Sequence, residues 1–132
     1  MEAAPGEPVR VMIVDDQEPF RRAGEAVIDA MNGFVVVGVA ETGEGSVERA
    51  RAVHPDVVQI DVNVPGISGL EATRMLRRLD PAPVVVLVST YDQSEYGDET
   101  MECGAAAYIS KSAFEPSLLR QTWQEVAGQV DR

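Results

Sequence analysis

Asp15 and Asp16 stand side by side, Asp61 closes an apolar run much later in the chain, Ser89-Thr90 close another, and Ser110-Lys111 close the last. Carboxylates in number, a hydroxyl and an ammonium are the groups that handle a divalent cation and phosphoryl oxygens. Three carboxylates brought together repel, and a bare cluster raises at least one pKa or destabilises the fold. A hard cation removes the conflict, and oxygen ligands with room for water suit Mg²⁺. With that charge in place, one carboxylate can attack phosphorus while the cation and a lysine neutralise the oxygens in flight. Asp61 is the candidate nucleophile. The turn Val62-Asn63-Val64-Pro65-Gly66 that follows it can present a backbone carbonyl to the same ion.

These residues meet only if the chain brings them to one edge. Five short β-rich runs are legible: Val9 to Val14, Phe34 to Ala40, Asp56 to Asp61, Pro83 to Val88 and Ala105 to Ile109. Most are apolar on consecutive residues, as a parallel strand covered on both faces requires. Between them the spacing is helical. Phe20, Ala23, Gly24, Val27, Ile28 and Met31 share one face, as do Ala72, Met75, Leu76 and Leu79, and later Leu119, Trp123, Val126 and Val130. Val47, Ala50 and Val53 form a shorter stripe, and Gln93 to Cys103, where a fourth helix belongs, is largely polar. Asn32-Gly33, Pro55, Pro81 and Gly104 punctuate the helix ends, and Ser68 with Glu71 makes a capping box. The pattern predicts an α/β fold, a single doubly wound (βα)5 domain with helices on both faces of a parallel sheet. In such a sheet every strand delivers its C-terminal end to one rim, where ligands bind. Asp15, Asp16, Asp61, Ser89-Thr90 and Lys111 all fall there.

Composition narrows the partners. The chain has 132 residues, 22 acidic against 11 basic, a net charge of −11 and 45% hydrophobic residues. That suits one domain with a real core, with Met1 to Pro8 as a flexible arm and residues 9–130 as the folded unit. A polyanion disfavours nonspecific contact with nucleic acid or anionic lipid. One cysteine, no export signal at the N-terminus and no apolar run near the ~20 residues a bilayer needs point to a cytoplasmic protein.

At this point the sequence resembles the receiver domain of two-component response regulators over nearly all of Val9 to Val130. The Asp pair after the first strand, Asp61 before an x-x-x-Pro-Gly turn, Ser/Thr after the fourth strand and aromatic-x-x-Lys after the fifth appear in family order. Asp15-Asp16-Gln17, the run Pro-Gly-Ile-Ser-Gly-Leu-Glu-Ala-Thr from Pro65, and Gly-Ala-Ala-Ala-Tyr-Ile-Ser-Lys from Gly104 are most similar to the NarL-type subfamily. The resemblance implies strand order 2-1-3-4-5 and Asp61 as the acceptor of a phosphoryl group from a sensor histidine kinase. It implies Mg²⁺ held by Asp15, Asp16, Asp61 and the Asn63 carbonyl, and Lys111 paired with Asp61 and then with phosphoryl oxygens. Ser89, chosen over Thr90 by its spacing from Lys111, would bond a phosphoryl oxygen while Tyr108 swings inward. The output surface would be the fourth helix, fifth strand and fifth helix, used on a downstream protein or a second copy. Such a protein is a phosphoacceptor switch, not a turnover enzyme. Ser112 follows Lys111 where many receivers have proline, and Asn63 and Tyr91 occupy positions that tune acyl-phosphate lifetime in the family.

Blander readings stand beside these. Asp15-Asp16 alone is a solvated loop pair, Ser89 a loop hydroxyl, Tyr108 an edge aromatic and Lys111 a surface charge. His54 reads as an exposed cation at a helix end, Cys103 as core filling and Trp123 as packing. Gly43-Glu44-Gly45 lacks the third glycine of a dinucleotide fingerprint, and no phosphate-binding Gly-Lys-Ser/Thr loop is present. An aspartyl-phosphate phosphatase also uses a strand-end aspartate with Mg²⁺, but little chain is left for a substrate cap. With no basic recognition helix in these residues, direct DNA binding is not expected. A stand-alone receiver is favoured over the N-terminal part of a helix-turn-helix regulator.

Overall fold

The computed structural model describes residues 7–90 and 102–130. Within them five parallel strands, β1 (Val9–Val14), β2 (Phe34–Ala40), β3 (Val57–Asp61), β4 (Val84–Ser89) and β5 (Ala107–Ser110), form one sheet in the order β2-β1-β3-β4-β5. Helices α1 (Glu18–Asp29), α2 (Gly43–Val53), α3 (Gly69–Leu76) and a C-terminal helix (Pro116–Val130) connect and cover the strands. Most of the fourth-helix segment, residues 93–101, lies outside the described residues, as do residues 1–6 of the expected arm and the side chain of Val130.

Alternation along the strands splits the core into two layers. Met12, Val14, Val58, Ile60, Val85 and Leu87 face Val47, Ala50, Leu70, Ala72 and Leu76 on the α2 and α3 side. Val11, Ile13, Val57, Val86 and Val88 face Ile28 and Leu119 on the side of α1 and the C-terminal helix. Every residue of β3 and β4 is buried, which is why both read as uninterrupted runs rather than alternating ones.

Element boundaries differ from the sequence reading where polar or proline backbone intervenes. Asp56 precedes β3; its carboxylate accepts the Arg10 amide at 2.9 Å, so it staples two strand starts together. Pro83 has no N–H for the ladder, and β4 opens at Val84. β5 opens at Ala107, after Ala106 has already donated to the Val85 carbonyl. The third helix ends at Leu76, not near Pro81, because Arg78 and Leu79 donate to carbonyls three residues back and tighten the last turn. Leu79 still packs on the core. Ser68 caps α3 through the Glu71 amide at 3.1 Å, while the Glu71 carboxylate turns to Arg74 at 3.2 Å. The stripe over Val47 to Val53 is a full helix, capped by Thr42 on the Gly45 amide at 2.9 Å and closed by His54 in a left-handed conformation, φ 51°. His54 is exposed, Cys103 is buried in the core, and Trp123 packs half-buried, as their bland readings held.

The start of α3 presses against the end of β3. A Cβ on Gly69 would lie 2.5 Å from the Asp61 carbonyl oxygen and 2.7 Å from the Val62 Cα, both backbone atoms that cannot swing away. Gly69→Ala is therefore expected to lower unfolding free energy by about 1–3 kcal/mol in urea titrations. Val39→Thr, at an exposed position, is expected to stay within about 0.5 kcal/mol of the parent.

Candidate functional site

β1 and β3 are neighbours in the sheet, so the residues just after Val14 and at the end of β3 share one rim. Asp15 is 1% and Asp61 6% exposed, whereas Asp16 projects into solvent. Each buried carboxylate is held in the same way. Asp15 Oδ1 accepts the Gln17 amide at 2.8 Å, and Asp61 Oδ1 accepts the Asn63 amide at 2.8 Å, so each is anchored by the backbone two residues on. The second oxygens converge on one cation: Lys111 Nζ lies 2.9 Å from Asp15 Oδ2 and 2.8 Å from Asp61 Oδ2.

Lys111 reaches the rim from the 3-10 turn Lys111–Ala113 that follows β5. Its ammonium also donates to Gln17 Oε1 at 2.9 Å and sits 4.3 Å from the centre of the Phe20 ring. Burial pulls its pKa down, but contact with Asp61 and then Asp15 outweighs that, and the net value lies above that of an ordinary lysine. Lys111 is thus charged throughout the neutral range. Because the folded value is raised, the stability this lysine adds is complete below the ordinary lysine pKa and is lost only as pH climbs through the raised value. Among the described residues the only cis peptide bond is Asp80–Pro81, so the Lys111–Ser112 bond is trans.

Carboxylate oxygens of Asp15, Asp16 and Asp61 lie within 4.8 Å of one another. Asp15 Oδ2 is buried and receives no directed hydrogen bond, only the facing charge of Lys111. An all-oxygen donor set with two buried members, one exposed member and one unbonded oxygen could hold a metal ion. The turn after Asp61 is braced from α2: the Gly43 amide donates to the Pro65 carbonyl at 3.1 Å, and the Ile67 amide to Glu44 Oε1 at 3.2 Å. Gly66, at φ 82°, fits under the Glu44 carboxylate where a Cβ would collide with it.

Ser89, fully buried at the end of β4, pairs in register with Ser110 and lies 3.5 Å from the Asn63 Nδ2, the outer limit of a hydrogen bond. Thr90 beside it is exposed. Tyr108 stands apart from the carboxylates, half-buried against the core cluster on the α2 and α3 side, in register with Leu87. The structure thus brings Asp15, Asp16, Asp61 and Lys111 into one cluster, sets Ser89 and Asn63 beside it, and leaves Tyr108 in the packing below. Sequence reasoning missed two contributors, Gln17 as a third acceptor for Lys111 and Phe20 beneath its charge. The position of Gln17 directly after the Asp pair was the available signal; nothing local marked Phe20, which reads as core stripe.

Comparison with known proteins agrees with this arrangement. Residues 11–123 match the response regulator receiver domain family. The chain is 38% identical over 121 residues to the response regulator GacA of Pseudomonas viridiflava, covering 92% of this chain and 56% of that one. It therefore spans about half the length of the curated relatives it matches. A LuxR-family two-component response regulator from Aurantimonas sp. SI85-9A1 superposes with a TM-score of 0.81 at 31% identity, over 92% of this chain and 87% of that one. The signal receiver domain of the putative response regulator NarL from Mycobacterium tuberculosis gives 0.79 at 27% identity, over 88% and 97%. With five parallel strands in order 2-1-3-4-5 and an aspartate cluster on their rim, the chain belongs to the response regulator receiver domain family.

Proposed function

We propose that residues 9–130 act as one receiver unit in which Asp61 accepts a phosphoryl group from the phosphohistidine of a sensor histidine kinase. An Asp61 carboxylate oxygen bonds to phosphorus as the phosphorus–nitrogen bond of the donor breaks, leaving an acyl phosphate and a free imidazole. The observation that carries this reading is the single ammonium of Lys111 spanning Asp15 and Asp61, 2.9 and 2.8 Å away. It is a ready counter-charge for oxygens arriving at Asp61. Mg²⁺ held by Asp15, Asp16, Asp61 and the Asn63 carbonyl supplies the remaining positive charge for the transferred group.

Phosphorylation adds up to about two negative charges and three strong acceptors. Lys111 then turns from the carboxylates toward the new oxygens, and the buried Ser89 hydroxyl donates to one of them. Ser89 ends β4 beside β5, so its movement alters the packing around Tyr108. The readout surface combines the fourth-helix segment, whose residues 91–101 lie outside the described ones, with β5 and the C-terminal helix. It serves a downstream protein or a second copy of the chain. To carry such a switch from 1:99 to 99:1, the phosphoryl group must favour the active form by about 5.5 kcal/mol. The acidic composition, together with the absence among the described residues of any helix long and apolar enough to cross a membrane, supports a cytoplasmic switch.

Asp61→Asn is expected to abolish labelling of the chain by acetyl phosphate with Mg²⁺, read by intact mass; retained labelling would overturn the assignment. Asp16→Ala removes an exposed ligand, so Mg²⁺ affinity in calorimetric titration should fall tenfold or more while the melting temperature stays within a degree or two of the parent. Ser89→Ala is expected to keep labelling but to lose the phosphorylation-dependent chemical-shift changes at Tyr108. Unchanged shifts at Tyr108 relative to the parent would remove Ser89 from the switch.

A further inference from the structure

β3 interrupts its apolar run once before the rim, at Gln59. Its side chain is 1% exposed in the middle of a fully buried strand. Alternation places Gln59 on the same face as Asp61, toward α1 and the C-terminal helix. The amide oxygen, Oε1, is buried and accepts no hydrogen bond among the described residues. An orphaned amide oxygen costs free energy that a leucine in the same place would not.

Next to it opens a cleft of about 130 Å³ lined by Phe20, Gly24 and Val27 of α1, by Phe114, and by Gln59 and Lys111. The space exists partly because residue 24 has no side chain; a Cβ there would sit 3.7 Å from Gln59 Nε2. The walls dictate what fits. Phe20, Val27 and Phe114 are apolar, so most of the occupant must be apolar too. Lys111 has three donors and faces three acceptors, Asp15, Asp61 and Gln17, so it has none left for an anion. Its charge repels a cation. The unused polar function is an acceptor, Gln59 Oε1, so the occupant must bring a donor. A cavity of about 150 Å³ walled by apolar side chains holds benzene, which sets the size near one ring.

We propose that this cleft binds a small neutral molecule of one aromatic ring carrying a hydroxyl or ring N–H, with its donor on Gln59 Oε1 and its ring against Phe20 and Phe114. Phe20 and Lys111 border both the cleft and the carboxylate pair. A bound ring therefore touches the lysine on which Asp61 depends, although the site itself stands on the cleft alone and not on phosphorylation.

Titration of the full chain with phenol, followed by two-dimensional NMR, tests this. Saturable shifts are expected at Gly24, Phe114 and the Gln59 side-chain amide. Benzene should shift the same residues but bind about fivefold more weakly, since it lacks the donor. Gln59→Leu, close in volume and without a polar group to bury, should keep the fold and erase the advantage of phenol over benzene. Asp61→Asn should bind phenol as the parent does, so that a failed phosphoacceptor reading and a failed cleft remain distinguishable. Should Gln59→Leu not fold, the phenol and benzene comparison on the unaltered chain decides alone. Equal affinities, no saturable shift at millimolar concentration, or a phenol-soaked crystal with only an ordered water on Gln59 would overturn the proposal.

Discussion

One ammonium holds the rim of this sheet together. Asp15 and Asp61 come from adjacent strands and are both almost fully buried, and two such carboxylates repel strongly in a medium less polar than water. Lys111 contacts both, arriving from the far side of the sheet after β5. Removing one partner of such a group leaves an uncompensated buried charge, which is far costlier than losing an exposed ion pair. By contrast, the Glu18–Arg22 and Glu71–Arg74 pairs are solvent-screened helix contacts and contribute little.

The surroundings keep that geometry narrow. Both carboxylates spend one oxygen on the amide two residues ahead, so neither can rotate freely, and the second oxygen is left facing the cation. The turn beyond Asp61 is pinned from α2 through Pro65 and Ile67, and from α3 by the close approach of Gly69. These contacts are made by main chain or by side chains acting on main chain, which fixes position without adding another charge to the rim. A site arranged this way answers a new charge by exchanging partners on Lys111 rather than by reshaping the loop.

The two faces of the sheet differ in character. The layer under α2 and α3 is apolar throughout, with Met12, Ile60 and Leu87 fully buried. The layer under α1 and the C-terminal helix carries Asp61, Lys111 and Gln59 along with its valines. Polar groups in a core lower stability unless each is satisfied, so they persist where they serve chemistry or a ligand. Gln59 belongs with that polar face, one pleat below the phosphoacceptor candidate.

Much of this was legible in the residues. Consecutive apolar runs announced buried parallel strands, and β1 and β2 coincide with the expected spans because both are bounded by clear breaks. Other ends moved by one or two residues where Asp56, Pro83 and the tightened turn after Leu76 obey local hydrogen bonding that hydrophobic periodicity does not report. The convergence of Asp15, Asp61 and Lys111 followed from strand order alone, since parallel strands deliver their ends to one rim whatever the spacing along the chain. Local pattern could not say that Gln17 and Phe20 also hold Lys111, that Asp15 and Asp61 are buried while Asp16 is not, or that Gln59 borders a cleft. Those facts depend on how deep each strand end sits beneath its neighbours and on which side chains of α1 reach across. Burial and distance between remote segments are set by packing in three dimensions, whereas periodicity records only which face each residue must turn inward.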